Sequence, residues 1–460
     1  MTDSSLKEKI HAYVLQNRDG IIRDIGTLVS INSVQAAAEP GRPFGKGCAD
    51  VLDAALGIAS DMELTVKNCE GYIGYASYGS GDGYISTITH LDTVPAGDGW
   101  IADPLVMRER DGWLIGRGVV DNKGPSVLCL YMLKFLRENN IRPKHEIRVL
   151  LGVSEETGME DVAYYLSHYA PPLFCFTPDG SFPVCNGEKG IYHGRIVSRM
   201  PKGNIQEISG GLVANAIPGK AEALVRYEGE LLPAGRVDVM REGDLWRLTA
   251  HGIGGHASRP AGTVNAVAVL VDYILENSIA DEREAAFLRV VQKIHSAPDG
   301  SGIGVDADDG RFDPLTIVCG VIGFDADGRM YQTIDSRYPT STSVEKIRST
   351  IAAAAGDTAD VLTDHDAVPF YISADRPEIR ICVDEYNEYT GENATPFTMG
   401  GGTYARHFPN AVSFGVESDK LVMPEWAGAI HGPEEAANVD WFLQALEMYI
   451  AAVIELDAAL

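Results

Sequence analysis

No apolar run in this 460-residue chain reaches membrane-spanning length, so no transmembrane helix is expected. The start, MTDSSLKEKI, lacks the apolar centre of a secretory signal, and a cytoplasmic protein is expected. Basic residues are scarce: 38 Lys and Arg stand against 65 Asp and Glu, a formal net charge of −27. That balance argues against nucleic acid or an anionic membrane as the main partner. The seven cysteines include no CxxC pair, and several lie in apolar segments such as SVLCLYML and LFCFTPD. They read as buried free thiols in a reducing compartment. Internal repeats and low-complexity tracts are absent too.

What is present is an ordinary globular composition, 45% hydrophobic and 22% charged. The length is too great for one core of usual size, which predicts two domains. Up to about residue 187, strand-like runs (YISTITHLD, HEIRVLLGVSEE, PPLFCFTPDG) alternate with helical patterns (CADVLDAALGIASDM, GPSVLCLYMLKFLRENN). This alternation predicts an α/β domain with a mixed, mainly parallel sheet and helices on both faces. Between residues 188 and 382 the texture is that of antiparallel strands with helices between them. After 383 the α/β texture returns, ending in a long helical pattern from PEEAANVDWF onward. The expected organisation is a discontinuous domain, 1–187 and 383–460, holding an inserted α+β domain over 188–382.

The chemistry gathers where predicted strands end. In HLDTVPAGDGW, His90 and Asp92 follow the strand YISTIT and, two residues apart, can share a face. WLIGRGVVD ends in Asp121, IRVLLGVSEE in Glu155 and Glu156, and LFCFTPD in Asp179. His431 stands just ahead of the C-terminal helical pattern in WAGAIHGPEE. In open α/β sheets the carboxyl ends of the strands are where ligands bind. Carboxylates converging there without partners are costly, so cations between them are expected. Imidazole plus carboxylate, with no thiolate, suits zinc, or manganese or cobalt. Two divalent ions would be balanced by Asp121, Glu156, Asp179 and one hydroxide, leaving one of the paired glutamates for proton transfer.

These phrases, HLDTVPAGDGW, GRGVVDNKGP, SEETGMED, TPDGSFP and HGPEE, resemble the motif set of the aminoacylase/carboxypeptidase-like di-zinc peptidases. TPDGSFPVCNGEKG and GGGTYARHFPNAVSFG resemble the dipeptidase branch, of which V-type dipeptidases and carnosinases are typical. The resemblance implies two divalent ions, zinc first, held by His90, Asp121, Glu156, Asp179 and His431, with Asp121 bridging. It implies Asp92 as the residue that orients His90, Glu155 as general base, and a cis peptide bond after Asp121. It makes the inserted domain a lid and implies that its His256, in GIGGHASRP, stabilises the oxyanion. Asn215 in LVANAIPGKA matches a substrate-contacting lid position.

Arg337 in IDSRYP offers a fork for a substrate carboxylate. The glycine-rich MGGGTYAR, with Gly401 and Thr403, offers backbone N–H groups to the same carboxylate. It lacks the lysine-serine/threonine ending of a nucleotide loop. The expected activity is hydrolysis of dipeptides with a free N-terminus, the partner being a small peptide and the assembly a monomer or a lid-mediated homodimer. The alternatives are an N-acyl-amino-acid deacylase or desuccinylase with the same metals, and a non-catalytic binding protein on the same fold.

Overall fold

A computed structural model describes residues 4–257 and 260–460. The chain divides into two compact units, one of Met1–Asn186, Ile372–Phe397 and Gly402–Leu460, the other of Gly187–Tyr371 and Thr398–Gly401.

In the first unit the strands run Thr65–Cys69, Ile73–Tyr78, Glu146–Gly152, Tyr84–His90, Phe174–Thr177, Ala411–Ser413 across the sheet. The last four are mutually parallel and the first two antiparallel. All seven residues of Tyr84–His90 are buried, the mark of a central strand covered on both faces. Helix Lys123–Glu138 packs on the two central strands and on helices Ser4–Val29 and Val439–Ala459. The side chain of Asn438 accepts from Trp441 N at 2.9 Å and so starts the C-terminal helix. Helix Lys46–Asp61 covers the Thr65–Tyr78 hairpin.

Three local readings change. WLIGRGVVD keeps only Trp113–Ile115 as a strand, and it lies in a separate three-stranded sheet with Arg108–Arg110 and Ala436–Asn438. Beyond Ile115 the chain turns at Gly118 (φ 83°), and Lys123 N bonds back to Gly118 O. Asp121 therefore arrives on a turn, not on a core strand. The C-terminal helix begins at Val439 rather than near Pro433, because Ala436–Asn438 is engaged as a strand. Helix Pro377–Thr390 lies whole within the first unit, buried through Ile379, Cys382 and Val383. A boundary between 382 and 383 would divide it; the chain crosses between units at 371/372.

The second unit is an antiparallel sheet in the order Val237–Glu242, Leu245–His251, Lys220–Arg226, Ile205–Gly210, Ile322–Phe324, Arg329–Tyr338, Gly190–Pro201, Ala359–Ala367. Lys220–Arg226 and Leu245–His251 alternate buried and exposed residues, as one-faced strands do. Their inner residues meet helices Ala266–Glu276 and Glu282–His295 in one core that includes Leu248, Val267, Leu270 and Phe287. Each such side chain contributes about 1.5–3 kcal/mol on burial. A small ribbon pairs Ala216–Ile217 with Gly255–His256. All seven cysteines are buried and none is in a disulfide. Among the described residues no helix is long and apolar enough to cross a membrane.

Candidate metal centre

The parallel strands of the first unit end on one side, and their next residues meet there. His90 closes Tyr84–His90, Glu155 and Glu156 follow Glu146–Gly152, and Asp179 follows Phe174–Thr177. His90 is fully buried. Its Nε2 lies 2.8 Å from Asp121 Oδ1 and 3.7 Å from Asp179 Oδ2. The other oxygen of Asp121, Oδ2, lies 2.9 Å from His431 Nε2, which is 3.2 Å from Glu156 Oε1. Asp121 thus presents one oxygen to each histidine. His90, Asp121 and Glu156 bring potential ligand atoms within 4.8 Å of one another, and so do His90, Glu155 and Asp179. His431 sits in the left-handed region at φ 62°, which histidine enters more readily than most residues but still at a cost. The peptide bond Asp121–Asn122 is cis.

The ring of His90 tests the site's fit to a cation. Its Nδ1 is 3.0 Å from the carbonyl oxygen of Asp92. A carbonyl only accepts, so Nδ1 carries the proton. In the neutral ring Nε2 is then a bare lone pair, aimed at the lone pairs of Asp121 and Asp179. Only a proton or a cation reconciles these groups.

The titration shifts express the same crowding. Burial alone would lower His90, yet bonds to Asp121 and Asp92 and the charge of Asp179 hold it well above its usual value. Bonds to Asp121 and Glu156 raise His431 to about 10. Burial, with Asp121, Glu417 and Glu156 nearby, pushes Asp179 up to about 8. Burial and the charge of Asp179 likewise raise Glu155 well above the carboxylate range. Asp121 moves the other way: its bonds to His431 and His90 overcome burial and lower it. Protons sit where divalent cations would fit, and the imidazole–carboxylate donor set is one that zinc, manganese or cobalt accepts.

Two buried groups outside the predicted set hold this geometry. Arg117 Nη1 donates to Glu435 Oε2 at 2.7 Å, and Arg117 Nη2 donates to the carbonyls of Ala96, His431 and Gly432, each at 3.2 Å. Glu435 in turn accepts from the backbone N–H groups of Gly118 (3.1 Å), Val120 (2.9 Å) and Asp121 (3.3 Å). One ion pair therefore fixes the backbone at both Asp121 and His431. Its sequence signal was faint: an arginine between two glycines and an acid four residues beyond a histidine. Asp92 is fully buried, with Oδ1 3.5 Å from His90 Nδ1, and its carboxylate also accepts from Glu155 N and Glu156 N.

The remaining predicted residues fall elsewhere. In the second unit Asn215 is exposed, and its carbonyl accepts from Ala257 N at 2.9 Å, beside the ribbon that pairs Ala216 with His256. The side chain of His256 lies outside the described residues. Arg337 is 6% exposed, and its Nε and Nη2 fork is engaged by Asp335 at 2.8 and 2.9 Å. Its Nη1 donates to Gly400 O at 3.2 Å. The forked edge expected to face a substrate carboxylate is thus occupied within the fold. Gly401 belongs to the second unit and Thr403 to the first. The Thr403 hydroxyl accepts from Ala405 N at 3.1 Å, capping the turn Tyr404–His407.

The model of peptidase family M20/M25/M40 matches residues 87–455. The Bacillus subtilis protein YtjP, provisionally named a dipeptidase, is 29% identical over 462 residues, covering 96% of this chain and 98% of YtjP. The Beta-Ala-Xaa dipeptidase of Lactobacillus delbrueckii subsp. lactis is 27% identical over 475 residues, covering 99% of this chain and 98% of its own. Among solved structures, human carnosine dipeptidase 1 aligns with a TM-score of 0.61 at 15% identity, over 98% of this chain and 99% of its own, and shares the fold.

Proposed function

The chain belongs to peptidase family M20/M25/M40, a family of peptide-bond hydrolases, and from that premise we propose that it cleaves dipeptides bearing a free N-terminus with the help of two divalent ions, zinc before manganese or cobalt. The observation that carries the reading is Asp121 between two histidines, one oxygen toward His90 and the other toward His431. His90 and Asp179 would hold one ion, Glu156 and His431 the other, with Asp121 shared. Such ions supply a hydroxide nucleophile near neutral pH and polarise the scissile carbonyl.

The chain's own residues do the rest. Asp92 keeps the Nδ1 proton of His90 in place, so that Nε2 stays a donor of its lone pair. The Glu155 carboxylate takes a proton from the attacking water and returns it to the leaving amine. The second unit acts as the lid: His256 stabilises the oxyanion, and Asn215 contacts the substrate beside it. Gly401 and Thr403 offer contacts to the substrate carboxylate, and Arg337, with its fork held by Asp335 and its Nη1 by Gly400 O, adds its positive charge nearby. The buried cysteines, none of them in a disulfide, support a cytoplasmic setting.

Free dipeptides, β-alanyl ones included, assayed beside N-acetyl and N-succinyl amino acids test the proposal. Turnover of free dipeptides is the expected result. Turnover of the acylated compounds alone would make the protein a deacylase and overturn it.

A further inference from the structure

Four consecutive N–H groups leave the end of strand Glu146–Gly152, and each meets a fully buried carboxylate. Val153 N and Ser154 N donate to Asp161 Oδ2 at 2.7 and 3.0 Å. Glu155 N and Glu156 N donate to Asp92 Oδ1 and Oδ2 at 3.2 and 3.1 Å. Asp92 and Asp161 are both 0% exposed. A buried carboxylate is tolerated only when donors surround it. Asp161 meets that condition. Its Oδ1 accepts from Val162 N at 2.8 Å, and its Oδ2 also accepts from the hydroxyl of the wholly buried Tyr404. The Tyr404 oxygen accepts in turn from Ser154 N at 3.4 Å.

The strand end is shaped to admit this pair. A Cβ on Gly152 would stand 2.3 Å from Tyr404 Oη and 2.7 Å from Asp161 Oδ2. Only glycine lets the backbone approach so closely. Asp161 lies in the first turn of helix Glu160–His168, yet Oδ2 is given to the strand exit rather than to the helix.

We infer that Asp161 and Tyr404 are positioning residues that, with Asp92, aim the turn carrying Glu155 and Glu156. Neither touches the reacting atoms. Asp92 holds the turn from the side of His90, and Asp161 holds it from the side of its own helix. Tyr404, 243 residues away in sequence, fixes Asp161. Their part in catalysis rests on the function proposed above; the clamp on the backbone does not.

The test is Tyr404→Phe, which keeps the ring and removes the donor, with Asp161→Asn as a second variant. Two readouts are followed in the purified protein: kcat and KM on a free dipeptide, and hydrogen–deuterium exchange of the peptide covering residues 153–156. In Tyr404→Phe, kcat should fall about tenfold with KM little changed, and exchange at these amides should rise about tenfold. Asp161→Asn should move both further in the same direction. Exchange and kcat at wild-type levels in Tyr404→Phe would overturn the inference. A wild-type protein inert toward dipeptides, with exchange still faster in the variant, would overturn the proposed function and leave the clamp standing.

Discussion

The two units carry their candidate residues in opposite ways. In the first, His90, Asp121, Glu155, Glu156 and Asp179 are buried or nearly so and crowded together with the half-exposed His431, and their surroundings raise His90, Glu155, Asp179 and His431 and lower Asp121 in titration. In the second, Asn215 is exposed beside a two-residue ribbon, and Arg337 is spent on Asp335. The contrast separates two kinds of candidate residue. A site for cations must be built before they arrive, because ligands have to converge and their repulsion must be borne by the fold. Groups that contact a substrate in passing need no such frame and leave little trace in a structure without it. Crowded, unreconciled charge is therefore the stronger sign of chemistry.

The largest effect that would break this contrast is at Glu155. Glu155→Ala should cost about 10²–10⁴-fold in kcat while the protein keeps its metal. Steady-state kinetics beside metal analysis checks this, and an unchanged rate removes the general-base assignment. Next, Arg117→Met leaves Glu435 buried without its cation, and should cost about 3–5 kcal/mol of stability. Denaturant unfolding measures it, and the backbone at Asp121 and His431 should loosen together, lowering bound metal. In the second unit, His256→Ala should lower kcat by about 10²-fold, with denaturant stability and metal content unchanged. A loss of metal there would erase the distinction between the units.

The smallest effect is on pH dependence. In the metal-free protein Asp179 titrates at about 8 and His431 at about 10, both above their usual values. The folded state thus binds protons that the unfolded chain releases, and stability falls as pH rises through these windows. For Asp179 the loss runs from about pH 4 to 8, and for His431 from about pH 6.5 to 10. Metal requires the deprotonated ligands and should reverse the trend. The difference in Tm between metal-loaded and chelated protein should widen from about pH 5 to 8. A constant difference would contradict the shifts.

How much of this was legible in the sequence follows from the range of each interaction. Glu146–Gly152 was readable as a largely apolar run with a polar exit, and Tyr84–His90 as an alternating run ending in a histidine. Asp121 was readable as a site residue but not its support, since the turn at Gly118 depends on Glu435, 317 residues away. The pairs Arg117–Glu435 and Asp161–Tyr404 are likewise long-range and give no local periodicity. Helix Pro377–Thr390 did carry a local signal that the domain boundary overrode: Pro377 at its start, and Ile379, Cys382, Val383 and Tyr386 at helical spacing. Arg337 shows the converse limit, because a forked guanidinium in a sequence says nothing of which carboxylate it already holds.

The central claim is a pair of cations sharing Asp121. Isothermal titration of zinc into the chelated chain, compared with Asp121→Ala, tests it most directly. Two tight equivalents in the parent and loss of both in the variant is the result expected from a shared ligand. Two tight equivalents retained in Asp121→Ala, or none in the parent, would contradict it.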